Sequence, residues 1–149
     1  MSASMLERAI AAAAEAHAGQ QDRAGRPYVF HPLGVMQDPS LHGEAQWCTA
    51  VLHDVLEDGP GWSAARLRER GISEAVVEAV VALTRQRGEA YDAYLEQVKA
   101  NPIALKVKKA DIRHNSGRLA ELPESEEHRL RNKYARARQV LGMNGRDDL

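Results

Sequence analysis

From Gly43 to Glu57 the chain has few turn formers, and Trp47, Ala50, Val51 and Val55 mark an apolar face before Gly59-Pro60-Gly61 ends the run. Such a segment reads as a central, well-buried helix, yet it carries His53-Asp54-Val55-Leu56-Glu57-Asp58 at its end. At about 100° per residue, His53 stacks on Glu57 and Asp54 on Asp58, so four polar groups share one arc of about 140°. Burying carboxylates without partners costs several kcal/mol, so the fold must bring them a cation, a hydrogen-bond network or a proton. A divalent metal meets that need directly. Asp111 and Asn115 repeat the i, i+4 spacing on a later apolar segment.

The rest of the chain keeps the helical period. Leu6, Ile10, Ala13 and His17 mark a first helix, with Gly19 where a left-handed cap belongs. Gly25 and Pro27 mark a loop, and Pro32 can open a short helix just after His31. Ser63 and Ser73 read as N-caps of two further helices, and Tyr91, Leu95 and Val98 as one face of the next. Ile103 to Leu119 has the length and spacing of another helix, and a last one runs from Ser125 to about Leu141 with acids first and arginines towards its end. No set of alternating strands, repeated strand-helix unit or internal repeat interrupts this pattern. The expectation is an all-α bundle of seven to eight helices over residues 1–141, with 142–149 as a frayed tail.

With 149 residues the chain suits one domain, and a formal charge of −1 argues against a nucleic-acid binder. Cys48 is the single cysteine, so neither an internal disulfide nor a cysteine-rich metal site is open to the chain, and a reducing, cytoplasmic setting fits. Glu7, Arg8 and Glu15 break the alanine-rich start, which reads as a helix and not a signal peptide. No uncharged apolar run reaches the roughly 18–20 residues of a membrane span. Pairing of helical faces into a homodimer stays open.

The chain resembles the HD superfamily, and within it the hydrolase domain of the RelA/SpoT-type alarmone enzymes and their small stand-alone relatives. The matching residues are His17-Ala18-Gly19-Gln20, Gly25-Arg26-Pro27-Tyr28, His31-Pro32-Leu33, His53 to Asp58, Leu83-Thr84 and Lys109 to Asn115, in family order. The resemblance implies one divalent metal held by His31, His53, Asp54 and Asp111. In the alarmone hydrolases it is usually Mn²⁺, while Zn²⁺, Fe²⁺ or Co²⁺ also suit two imidazoles and two carboxylates. It implies metal-assisted hydrolysis of a phosphate or pyrophosphate ester, of the kind that removes the 3′-pyrophosphate of (p)ppGpp, with Glu57 and Asp58 as the catalytic acids. Arg23, Tyr28, Thr84, Lys109 and Asn115 become the residues for the nucleotide, with Tyr28 packing under the metal site, Thr84 bonding backbone at a helix end and Asn115 bonding a metal ligand as their alternatives. Where the family carries an Arg-Lys pair this chain has Asp22-Arg23, which sets an acid beside a polyanion and leaves open another nucleotide, or a nucleotide-sensing module without turnover. His17 reads as a packed or capping histidine, and His114 as support for the Asp111 helix or an indirect ligand contact. His42 and His128 read as surface residues, and Tyr91, Tyr94, Trp47 and Trp62 as packing.

Overall fold

A computed structural model describes residues 2–143, and among these the structure is all-helical. The helices are α1 (Met5–Ala16), α2 (Phe30–Met36), α3 (Glu44–Leu52), α4 (Val55–Asp58), α5 (Ala64–Glu69), α6 (Glu74–Ala82), α7 (Tyr91–Lys99), α8 (Pro102–Ser116) and α9 (Glu124–Leu141). A 3-10 turn at Leu119–Glu121 joins α8 to α9.

Local chemistry explains most boundaries. Ser4 and Glu7 form a reciprocal capping box at α1, Ser63 Oγ accepts from Arg66 N, and Asn101 Oδ1 accepts from Ala104 N with Pro102 in the first turn. Gly142 closes α9 at φ +74°, a backbone that favours glycine. Of the tail expected over 142–149, residues 144–149 lie outside the described residues.

Three boundaries differ from expectation. The segment expected as one helix from Gly43 to Glu57 divides at His53–Asp54, where Asp54 takes φ −102° and ψ 0° and α4 starts afresh. The His53 ring donates from Nδ1 to Ala50 O at 2.6 Å, so the side chain takes over a carbonyl at the helix end. The arc computed for an unbroken helix therefore does not apply. Helix α2 begins at Phe30, which puts His31 inside its first turn. Helix α8 ends at Ser116, and Leu119 falls in the 3-10 turn.

Two apolar clusters flank the centre. One joins Ala9, Ala12, Ala13 and Ala16 of α1 to Val51, Leu52, Val55, Leu67, Val76, Val77 and Val80. The other joins Ala50 and Val35 to Leu83, Leu95, Val98, Val107, Ile112, Ala137 and Leu141. The small, buried alanines of α1 pack directly against Val51 and Leu52 of α3 in the first cluster. Helix α3 thus lies between both clusters, and its C-terminal end delivers His53 and Asp54 where α2 and α8 also converge. Trp62 is buried beneath Arg66, whereas Trp47 is 36% exposed with its Nε1 donating to Leu41 O, so its packing is partial. No described helix is long and apolar enough to cross a membrane.

Candidate metal centre and cavity

His31 from α2, His53 and Asp54 from the α3–α4 break, and Asp111 from α8 meet at one point. His31 Nε2 lies 2.8 Å from Asp111 Oδ1 and 3.8 Å from Asp54 Oδ2. His53 Nε2 lies 3.1 Å from Asp54 Oδ2 and 3.3 Å from Asp111 Oδ1. Donor atoms bound at about 2.0–2.2 Å to one ion stand roughly 3 Å apart, which is the spacing here. His31, His53 and Asp54 form a buried group able to hold a metal ion.

His53 provides the sharpest test of fit. Its Nδ1 is used by Ala50 O, while its Nε2 is fully buried and has no aligned hydrogen-bond partner despite the two nearby carboxylates. An imidazole held by Nδ1 with Nε2 directed at a converging set of oxygens is the arrangement of a metal-ligating histidine. Burial disfavours a charge on His53, but Asp54 and Asp111 outweigh it and raise its pKa well above the ordinary value. Burial likewise opposes the charge on Asp111, yet Lys108, His53 and His31 hold its carboxyl well below the usual range. A divalent cation would satisfy both carboxylates with both imidazoles neutral.

Asp54, Asp111 and His31 each have a further partner outside this group. The Tyr28 hydroxyl donates to Asp54 Oδ2 at 2.5 Å, and burial together with that carboxylate pushes the phenol far up, so it stays a donor. Lys108 Nζ lies 3.1 Å from Asp111 Oδ2, and Asn115 Nδ2 donates to Asp111 Oδ1 at 3.1 Å. His31 Nδ1 faces His114 Nδ1 at 2.8 Å. His17 packs its ring against Tyr28, and its Nδ1 bonds Gln20 Oε1, while Gln20 Nε2 donates to Asp58 O.

A cavity of about 610 Å³ opens over this centre. Its lining includes the acids Asp22, Asp54, Glu57, Asp58, Asp111 and Glu121 and the cations Arg23, Lys108, Arg118, Arg129 and Lys133. Carboxylate oxygens of Asp54, Glu57 and Asp58 lie within 4.8 Å of one another. Burial and the Asp54 charge raise both acids, against a hydrogen bond from Arg85 N to Glu57 Oε1 at 2.6 Å. The arrangement pairs a cation site and proton-accepting carboxylates with basic side chains suited to phosphate groups.

The residues expected for the nucleotide divide. Arg23, Tyr28 and Asn115 line the cavity. Thr84 and Lys109 do not: Thr84 is buried with its hydroxyl donating to Val80 O, and Lys108 is the lysine that reaches Asp111. The reason is helical phase, because i, i+3 neighbours share a face and i, i+2 neighbours do not. Arg118, Arg129 and Lys133 are cavity cations that sequence reasoning passed over; the arginine-rich α9 was read only for its dipole.

Asp22 does not stand against the cavity as a free acid. Its Oδ1 accepts from Ala24 N at 2.9 Å and Arg26 N at 3.0 Å, and its Oδ2 pairs with Arg26 and Arg118, both at 3.3 Å. Despite burial, those N–H groups and guanidinium groups hold its pKa below the ordinary value. The loop is further tied to the α8–α9 side by Arg26 to Glu121 at 2.5 Å and by an Arg23–Glu126 ion pair.

No family model matches the chain. It is 31% identical over 136 residues to a probable GTP pyrophosphokinase of Mycobacterium leprae, covering 85% of this chain and 17% of that protein. It is 31% identical over 152 residues to GTP pyrophosphokinase of Streptomyces coelicolor, covering 93% and 18%. The chain therefore spans less than a fifth of the length of these curated relatives. In structure it matches a solved protein described as a metazoan ortholog of SpoT that hydrolyzes ppGpp and plays a role in starvation responses. The TM-score is 0.79 at 18% identity, covering 99% of this chain and 91% of that one. The chain belongs to the GTP pyrophosphokinase family, matching one region of those longer proteins, and it shares the all-α fold of that SpoT ortholog.

Proposed function

We propose that this chain is a metal-dependent phosphohydrolase that removes pyrophosphate from the 3′ position of guanosine 3′,5′-bis(diphosphate), with Mn²⁺ as its ion. The observation that carries the reading is the buried His53 Nε2, without an aligned hydrogen bond, converging with His31, Asp54 and Asp111 beside a cavity that five Lys and Arg side chains help to line. Similarity to a region of the GTP pyrophosphokinases and to a ppGpp-hydrolysing fold relative supports the substrate class.

When bound, a divalent ion supplies Lewis acidity, acidifying water and neutralising phosphoryl charge. Hydrolysis breaks the bond between the ribose 3′ oxygen and phosphorus, as water adds to that phosphorus and a proton reaches the leaving oxygen. Glu57 and Asp58 stand beside Asp54, and their raised pKa values suit one to take the proton of water and the other to give one back. Arg23, Arg118, Arg129 and Lys133 neutralise the remaining phosphates, and Asn115 and Lys108 keep Asp111 oriented.

Asp22-Arg23 in place of the family's Arg-Lys pair favours one second reading, the same chemistry on another nucleotide. A panel of ppGpp, pppGpp, deoxynucleoside monophosphates and NADPH, assayed for phosphate and pyrophosphate with Mn²⁺, separates the two. Pyrophosphate from ppGpp, abolished by EDTA, supports the first reading. Turnover of another nucleotide with silence on ppGpp supports the second.

A further inference from the structure

Metal-ligating histidines are usually held from behind by a carboxylate, a backbone carbonyl or water. His31 is held by a second imidazole. The two Nδ1 atoms are 2.8 Å apart, and the rings stand with centroids 4.9 Å apart at 42°. Only one proton fits between two facing ring nitrogens, so one ring donates and the other accepts. If His31 carries that proton on Nδ1, its Nε2 lone pair is free for a metal; if His114 carries it, the proton of a neutral His31 sits on Nε2 and blocks the site.

The packing around His114 is cut to admit this ring. Gly34 lies one turn beyond His31 on α2, and a Cβ there would come 2.4 Å from His114 Nε2 and 2.9 Å from its Cδ2. Gly34 is helical, with no left-handed backbone to require glycine, so the clearance explains the residue where conformation does not.

We infer that His114 is a positioning residue that accepts the Nδ1–H of His31 and so fixes the tautomer able to bind a metal through Nε2, and that Gly34 provides the space for its ring. The inference rests on the metal centre proposed above.

The test is calorimetric titration of Mn²⁺ into the chelator-stripped full chain, with thermal unfolding of each protein alongside. His114→Leu, which removes the acceptor, weakens Mn²⁺ binding about 10–100-fold. His114→Asn, whose Oδ1 occupies the place of Nδ1, restores affinity to within about threefold of the parent. Gly34→Ala weakens binding about tenfold when His114 is present but less than about twofold in the His114→Asn background, because the clash is with the ring. Parent-like affinity in His114→Leu, or equal losses in the Leu and Asn variants, overturns the inference alone. A parent protein that binds no Mn²⁺ overturns the metal reading and the inference with it.

Discussion

Tyr28 donates its hydroxyl to Asp54 Oδ2 at 2.5 Å, linking the loop before α2 to the carboxylate at the α3–α4 break. That same oxygen lies 3.1 Å from His53 Nε2, so Tyr28 orients the carboxylate at the candidate metal centre, and it also lines the cavity. Tyr28→Phe keeps the ring and its contact with His17 but frees Asp54 to rotate. A hydrogen bond to a charged group contributes about 1.5–3 kcal/mol, so Mn²⁺ affinity falls at least about tenfold with the fold retained, as read by calorimetry and circular dichroism.

Asp22 organises its loop, and its removal should harm substrate binding. Asp22→Ala releases Arg118 and two backbone N–H groups, so the KM for ppGpp rises several-fold with kcat little changed. If Asp22 instead repelled the substrate as a free acid, the same substitution would lower KM. Steady-state kinetics of the single variant separate these outcomes.

Asp38 at the end of α2 pairs with Arg113 of α8 at 3.1 Å, clamping the two helices that present His31 and Asp111. Although burial opposes its charge, Arg113 and Ser40 lower the Asp38 pKa below its ordinary 3.8. A carboxyl whose native pKa is depressed contributes stability that is complete above the ordinary value and lost as pH falls through the native one. Asp38→Ala should cost about 1.5–3 kcal/mol near pH 7, and the gap from the parent should narrow below about pH 4. Urea unfolding at both pH values measures it.

Lys108 and Lys109 should part company despite being neighbours. Lys108→Met strips Asp111 of its cation and lowers turnover at least about tenfold, while Lys109→Met and Thr84→Val stay within about twofold, since neither side chain lines the cavity. Initial rates on the three variants under one Mn²⁺ concentration decide this.

The helices were legible because they depend on local spacing, with apolar residues at the helical period, whereas the candidate ligand set of His31, His53, Asp54 and Asp111 came from the family resemblance that its short motifs carry. The division at His53–Asp54 was not, since neighbouring residues favour continuous helix and the break comes from the His53 ring turning onto Ala50 O within packed surroundings. For Asp22 the sequence reveals the sign of the charge but not its direction, and the carboxylate turns inward to Ala24, Arg26 and Arg118. The contact of His114 with His31 became visible only when α2 and α8 were brought together, because the two lie 83 residues apart. Lys108, by contrast, could have been chosen over Lys109 from helical phase alone.

The most direct test of the central claim is to strip the protein with EDTA, return Mn²⁺ stepwise, and follow pyrophosphate release from ppGpp for the parent and Asp54→Ala. Activity should return and saturate at one ion per chain in the parent and stay absent in Asp54→Ala at the same Mn²⁺ concentrations. Pyrophosphate release that persists without the ion, or equal recovery in Asp54→Ala, would contradict it.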